Sequence, residues 1–143
     1  MKKLLILIIA ASASLVFSCV NQDSNVQSAS ILSQESTIAK NILVKDFQDF
    51  IQIKKNAIIL DVRTQNEVDE GYLANSVHMD YYASDFKIKI AKLDKTKPIL
   101  VYCHSGHRSG LTMTAMKEMG FSEVYNLEPG IVGWKAAGLP IEK

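Results

Sequence analysis

VYCHSGHRSG, residues 101–110, sets a cysteine where an apolar strand passes into a short polar loop and then a helix. Residues 98–102 are a nearly continuous apolar run, which is typical of a strand covered on both faces. Ligands of parallel α/β sheets bind beyond the carboxyl ends of the strands. A helix that begins after the loop would point its free N–H groups and the positive end of its dipole back toward Cys103. The stretch therefore predicts a nucleophilic cysteine at the base of an anion-binding loop.

The loop residues supply what a reactive thiolate needs. Cys103 is the predicted nucleophile, because only the ionised sulfur reacts, and Arg108 is expected to add a fixed positive charge beside it. Gly106 lets the backbone turn so that successive amides can face the sulfur. The other predicted members of the anion-binding loop are His104, Ser105, His107 and Ser109.

Two other interpretations of this loop remain open. Cys103 could be a buried, inert residue at a strand end, although the polar, glycine-containing loop favours the nucleophile. His104 and His107 raise the question of a metal, but two loop histidines with one cysteine fall short of a usual zinc ligand set. We therefore predict no metal and no dissociable cofactor, and we expect the histidines to tune the thiolate, recognise an anionic donor or face solvent.

Short apolar runs alternate with amphipathic segments over residues 38–143. This alternation predicts a single α/β domain with a mainly parallel central sheet and helices on both faces. The predicted strands are 57–62, 76–79, 98–102 and 123–127. The predicted helices are 46–54, 64–70, 84–93, 109–119 and 131–137.

The ends of the predicted helices carry recognisable signals. Thr64 and Glu67 have the spacing of a capping box, and Ser84 is a candidate cap for the following helix. Gly71 and Gly120 stand where a helix often ends on a left-handed residue. These signals support the assignment of helices between the strands.

Length and charge exclude some classes of protein. A chain of 143 residues is enough for one compact domain. Its 16 Lys and Arg residues balance 15 Asp and Glu residues, with no basic run or stripe that would follow a phosphate backbone. Nucleic acid is therefore not an expected partner, and we expect a monomer.

Residues 1–18 are predicted to be a secretory signal peptide, in which Lys2 and Lys3 precede an apolar run at residues 4–11. That run is too short for a membrane span, which needs about 20 residues. Residues 16–19, Val-Phe-Ser-Cys, resemble the end of a bacterial lipoprotein signal, which implies that Cys19 is acylated. The protein is then expected in the cell envelope, lipid-anchored to a membrane and facing the periplasm or the exterior.

The polar residues 19–37 are predicted to form the lipidated N-terminus and a flexible tether. If Cys19 is acylated, Cys103 is the only free thiol of the chain and no internal disulfide can form. The alternative is an ordinary signal peptide that is cut nearby, leaving Cys19 free or lost.

The chain resembles the rhodanese family from about residue 38 to its C-terminus. The loop match consists of Cys103, Gly106, Arg108 and Ser109. The upstream match consists of Asp61-Val62-Arg63, Glu67 and Gly71, and the downstream match of Leu127-Glu128-Pro129-Gly130-Ile131, Trp134 and Ala137-Gly138-Leu139-Pro140. The sequence departs from the family pattern at Tyr72, Asn75-Ser76, His78 and Pro129, which affects local turns and not the fold.

The resemblance implies a two-step sulfur transfer, which the predicted signal peptide would place in the cell envelope. Cys103 would take a sulfane sulfur from a small donor such as thiosulfate or polysulfide, and the persulfide would pass it to a thiol or cyanide-like acceptor. The resemblance also implies that Asp61 supports the active loop through hydrogen bonds. Arg63 and Glu67 are expected to form a local ion pair near it.

Two other functions remain open. One is a lipoprotein that uses this fold to bind a ligand or sense sulfide without turnover. The other is a cysteine-dependent phosphatase or arsenate reductase. The span from Cys103 to Arg108 is six residues, whereas those enzymes use a loop one residue longer, and the smaller cradle suits sulfur better than a tetrahedral phosphate.

Overall fold

The computed structural model describes residues 37–143, which form one five-stranded sheet with the strand order β1-β5-β4-β2-β3. All four strand pairs are parallel. The strands are β1 (Ile38–Ile42), β2 (Ile58–Asp61), β3 (Val77–His78), β4 (Ile99–Tyr102) and β5 (Glu123–Leu127). The helices are α1 (Val44–Ile53), α2 (Gln65–Asp69), α3 (Phe86–Ala91), α4 (His107–Glu118) and α5 (Gly130–Ala136).

Helices cover both faces of the sheet, as the alternating pattern predicts. Successive side chains of a strand point to opposite faces. Leu60 and Val101 lie in one apolar cluster, with side chains of α3 and α4, whereas Ile59 and Leu100 lie in a second cluster with side chains of α1 and α5. Because β4 is buried along its whole length in the middle of the sheet, its carboxyl end is a rigid support for the loop that follows.

All nine predicted elements are present, with boundaries that agree to within two residues; one strand and one helix cap differ from the prediction. The edge strand β1 was not predicted, because its sequence IAKNI lacks a continuous apolar run. The helix predicted at 84–93 is shorter and begins at Phe86, so Asp85 and not Ser84 occupies its N-cap position. The helix therefore starts one residue later than a cap at Ser84 would place it.

The other helix-end signals are present. The Glu67 carboxylate accepts a hydrogen bond from the Thr64 N–H at 3.0 Å, which anchors the start of α2. Gly71 and Gly120 have φ values of 125° and 83°, conformations that favour glycine.

The predicted signal peptide, Cys19 and the tether up to residue 36 lie outside the described residues, so these assignments stay predictions. Among residues 37–143, none of the helices has the length and apolar character needed to cross a membrane.

Candidate active site

Cys103 lies directly after β4, where the polypeptide leaves the sheet and turns toward α4. Its side chain belongs to the apolar cluster beneath α4, and the residue is 1% exposed. Cys103 is a free thiol.

Hydrogen-bond donors converge on the Cys103 sulfur. The Gly106 N–H donates to Sγ at 3.2 Å. The Ser109 hydroxyl lies 3.3 Å from Sγ and 3.1 Å from the Gly106 carbonyl oxygen, so its one proton is shared between these two acceptors. Burial by itself would raise the pKa of the Cys103 thiol, but the Ser109 hydroxyl and the backbone amides of Ser109, Ser105 and Gly106 together outweigh burial and lower that pKa below its ordinary value. The loop thus favours a thiolate.

Gly106 is required by both backbone conformation and space. Its φ is 88°, in the left-handed region, and it occupies the N-cap position of α4. A β-carbon at this position would lie 1.8 Å from the backbone oxygen of Glu128. The Gly106 carbonyl accepts hydrogen bonds from the Gly110 N–H at 2.9 Å, from the Ser109 hydroxyl at 3.1 Å and from Asn126 Nδ2 at 3.2 Å.

The start of α5 supports the loop from behind. The Ile131 N–H donates to the Cys103 carbonyl at 2.8 Å, and the Val132 N–H donates to the His104 carbonyl at 3.2 Å. A β-carbon at Gly130, whose φ is 58°, would lie 2.3 Å from the His104 oxygen. Because these loop carbonyls face α5, the loop amides are left free to face the sulfur.

Arg108 lies beside the loop with its guanidinium bound to Glu67. Nη1 is 2.8 Å from Oε2 and Nη2 is 2.6 Å from Oε1. Hydrogen bonds from Arg108 are the main cause that lowers the pKa of Glu67 to about 2, against the opposing effect of burial, and the same pairing raises the pKa of Arg108 further. The positive charge predicted beside the thiolate is thus shared with a carboxylate.

The predicted ion pair between Arg63 and Glu67 is wrong. Arg63 is 1% exposed and its carboxylate partner is Asp61, which is 0% exposed, with Nε 2.9 Å from Oδ1. Arg63 precedes the first residue of α2, so the four-residue spacing to Glu67 does not place their side chains on one helix face. Instead, Nη1 donates to the Glu67 backbone oxygen at 2.8 Å and Nη2 to the Gly71 backbone oxygen at 2.9 Å.

Asp61 therefore reaches the loop indirectly. It fixes Arg63, Arg63 holds the backbone of α2, and α2 presents Glu67 to Arg108. The support of the loop by Asp61 that the resemblance implies is therefore a series of hydrogen bonds through Arg63, α2 and Glu67.

A groove of about 470 Å³ opens beside the loop. Its lining residues are Thr64, Glu67, Glu70, Tyr82, His104, Ser105, His107 and Arg108. The Tyr82 ring, 69% exposed, lies 5.6 Å from the Arg108 guanidinium and forms a wall that the sequence did not indicate. Among residues 37–143, no group of three or more His, Cys, Asp or Glu side chains is arranged to hold a metal ion.

Comparisons with known proteins agree with this geometry. The model of the rhodanese-like domain family matches residues 43–137. The thiosulfate sulfurtransferase GlpE of Coxiella burnetii is 39% identical over 83 residues, which are 58% of this chain and 76% of that protein.

Two solved structures share both the fold and part of the sequence. A rhodanese-related protein from Thermoplasma volcanium has a TM-score of 0.63 and 29% identity, covering 72% of this chain and 97% of that one. The polysulfide-sulfur transferase homodimer from Wolinella succinogenes has a TM-score of 0.62 and 27% identity, covering 80% and 88%. With its family match, its curated relatives and its fold in agreement, this chain belongs to the family of rhodanese-like sulfurtransferases.

Proposed function

We propose that this protein is a cell-envelope sulfurtransferase that carries sulfane sulfur on Cys103. The donor is thiosulfate or polysulfide, and the acceptor is a thiol or a cyanide-like nucleophile. The observation that carries the proposal is the convergence of the Gly106 N–H and the Ser109 hydroxyl on a buried sulfur whose pKa is lowered. The named activities of the two relatives, thiosulfate sulfurtransferase and polysulfide-sulfur transferase, support the choice of donors.

The transfer has two steps that require no external oxidant or reductant. The Cys103 thiolate attacks the outer sulfur of thiosulfate; the new sulfur–sulfur bond forms as the old one breaks, and sulfite leaves with the electron pair. The acceptor thiolate then attacks the outer sulfur of the persulfide, and the Cys103 thiolate leaves. Both steps keep a negative charge on sulfur near the loop, where amide and hydroxyl donors stabilise it.

The location is part of the proposal and depends on residues 1–19. A signal peptide over residues 1–18 would direct export of the domain, and acylation of Cys19 would anchor it to a membrane of the cell envelope, facing the periplasm or the exterior. More than one acyl chain is needed for stable anchoring. A Cys19→Ala variant is expected to leave the membrane fraction, and a variant that is cut before residue 19 and still sediments with membranes would count against lipid attachment at Cys19.

Intact mass measurement tests the sulfur carrier directly. A Cys19→Ser form of the full chain, purified in detergent, has Cys103 as its single cysteine. We expect thiosulfate or polysulfide to add one sulfur atom that cyanide removes, and the additional change Cys103→Ser to abolish the addition.

The same preparation separates the alternatives. A folded protein with a free thiol that gains no sulfur from any donor would support a binding or sensing module instead. Hydrolysis of an aryl phosphate that is lost in the Cys103→Ser form would support a phosphatase.

A further inference from the structure

Asn126, on β5, is a buried polar side chain that the sulfur chemistry described above does not use. It is 3% exposed, and its Nδ2 donates to Asn41 Oδ1 at 2.9 Å and to the Gly106 carbonyl at 3.2 Å. Among the described residues, its Oδ1 has no hydrogen-bond partner. Burying an amide oxygen without a donor destabilises the folded state. The contacts of the other amide atom, Nδ2, are therefore where a role that offsets this cost is to be sought.

The Nδ2 contact reaches the residue that presents an amide to the sulfur. The Gly106 N–H donates to Cys103 Sγ at 3.2 Å, while the Gly106 carbonyl is the group that Asn126 holds. Glycine is the residue with the greatest backbone freedom. The Gly106 carbonyl also accepts hydrogen bonds from the Gly110 N–H at 2.9 Å and the Ser109 hydroxyl at 3.1 Å, so Asn126 is its contact from outside the loop and α4. The N–H lies in the peptide unit before Gly106 and the carbonyl in the unit after it, so a contact to the carbonyl acts on the N–H by restricting the two backbone dihedrals of Gly106.

Asn126 is well placed to provide such a contact, because it belongs to a strand of the central sheet. β5 pairs with β4 on one side and with β1 on the other, so the Asn126 backbone is held by both neighbours. The loop, by contrast, has no strand partner between Cys103 and His107. Asn126 is thus fixed by the sheet, and it contacts Gly106, a glycine whose backbone orientation sets the direction of the N–H at the sulfur.

We propose that Asn126 is a positioning residue for sulfur transfer, which holds the Gly106 carbonyl so that the Gly106 N–H stays directed at the Cys103 sulfur. This inference rests on the proposed role of Cys103 as sulfur carrier and extends it to a residue 20 positions from Gly106, outside the loop. Asn126 does not touch the reacting atoms. Its effect on the sulfur passes through the backbone of Gly106.

The first test is the pH dependence of Cys103 alkylation by iodoacetamide in the full chain carrying Cys19→Ser, so that a single cysteine reports. Asn126→Leu removes the donor and keeps a similar volume. We expect its alkylation midpoint to rise by about one pH unit. A shift of that size corresponds to weakening one hydrogen bond to the charged sulfur, that from the Gly106 N–H. Tyr125→Phe is the matched control, because it removes a hydrogen bond to Glu123 from the neighbouring residue of β5 and should leave the midpoint unchanged.

A second variant decides the question if Asn126→Leu does not fold. A β-carbon at Gly110, inside α4, would lie 3.3 Å from Asn126 Nδ2 and would displace it slightly. Alanine is also a better helix former than glycine, so Gly110→Ala should not lower stability. We expect a smaller upward shift of the alkylation midpoint in a protein that melts no lower than the parent.

An unchanged midpoint in the folded variants would overturn the proposal and leave Asn126 as a packing residue. The measurement does not involve sulfur transfer, so its outcome is separate from that of the proposed function. A shifted midpoint in a protein that accepts no sulfur from any donor would contradict the proposed function and retain the positioning role.

Discussion

Glu67 and Arg108, 41 residues apart in the sequence, are joined by two parallel hydrogen bonds that connect α2 to the first turn of α4. The pairing holds the pKa of Glu67 at about 2, below its ordinary value of 4.5. A group with a lowered pKa in the folded state stabilises that state above its unfolded pKa, and the contribution disappears as it is protonated. The loop is therefore attached to α2 at neutral pH and loses this attachment in acid.

Glu67→Gln should change how stability depends on pH. The parent is expected to lose the contribution of the pair as pH falls from about 4.5 toward about 2, whereas the variant lacks that contribution throughout. Urea unfolding at pH 7 should show a loss of ~1 kcal/mol, since the pair is partly screened by solvent. The exposed pair of Lys45 and Asp49 is the control, and Asp49→Asn should change nothing measurable. Equal pH dependence in the Glu67→Gln variant and the parent would contradict this account.

Ser109→Ala should raise the pKa of Cys103. The change removes a hydroxyl that donates to the sulfur at 3.3 Å and leaves the backbone amides in place. We expect a rise of about one unit, so that persulfide formation slows at pH 7 and recovers in alkaline solution. The control is Thr112→Val, which removes a buried hydroxyl of the same helix that donates to the Arg108 carbonyl and not to the sulfur. A uniform loss of rate at all pH values would indicate a structural role only.

Gly130→Ala and Gly138→Ala separate backbone strain from steric conflict. Both glycines have positive φ, 58° and 72°, but a β-carbon at Gly138 meets nothing within 4 Å. Gly138→Ala should cost ~1 kcal/mol from backbone conformation alone. Gly130→Ala should cost at least ~2 kcal/mol more, because its β-carbon would clash with the His104 carbonyl. Similar unfolding free energies for the two variants in urea would show that the loop yields to α5 without cost.

Arg63→Met should be strongly destabilising. It leaves the Asp61 carboxylate, which is 0% exposed, without its cationic partner. Breaking a buried pair from one side costs ~3–5 kcal/mol. Lys54→Met is the comparison, since it breaks a partly exposed pair with Glu123 and should cost ~1 kcal/mol or less. Equal losses of stability in urea for the two variants would show that burial adds nothing to the cost of breaking the Asp61 pair.

The central part of the fold could be predicted because its sequence signals are local. β2 and β4 are nearly continuous apolar runs, and the cysteine, glycine and arginine of the loop follow β4 directly. The order of strand, loop and helix was enough to place Cys103 at the carboxyl end of the sheet. The edge strand β1 escaped prediction because only one side of it is paired and its residues are mostly exposed.

The contacts that support the loop could not be predicted from spacing. Asn126 and Gly130 reach the loop because β5 lies beside β4. No short sequence motif specifies the order of the strands in a sheet. The only available signal was the downstream family match at residues 127–131, which identifies the position without its contacts. The pairing of Arg108 with Glu67 likewise depends on the placement of α2 against α4.

The pairing of β1 with β5 also bears on when the domain can finish folding. Ile38 aligns with Glu123 in the register, so closing this pair brings together the two ends of nearly the whole domain. β1 has no other strand partner among residues 37–143, and it cannot find β5 until Leu127 has been synthesised. Such late, long-range closure is slow compared with the formation of local structure. The sheet therefore stays incomplete until residue 127 has been synthesised, and β1 is the strand that joins it last.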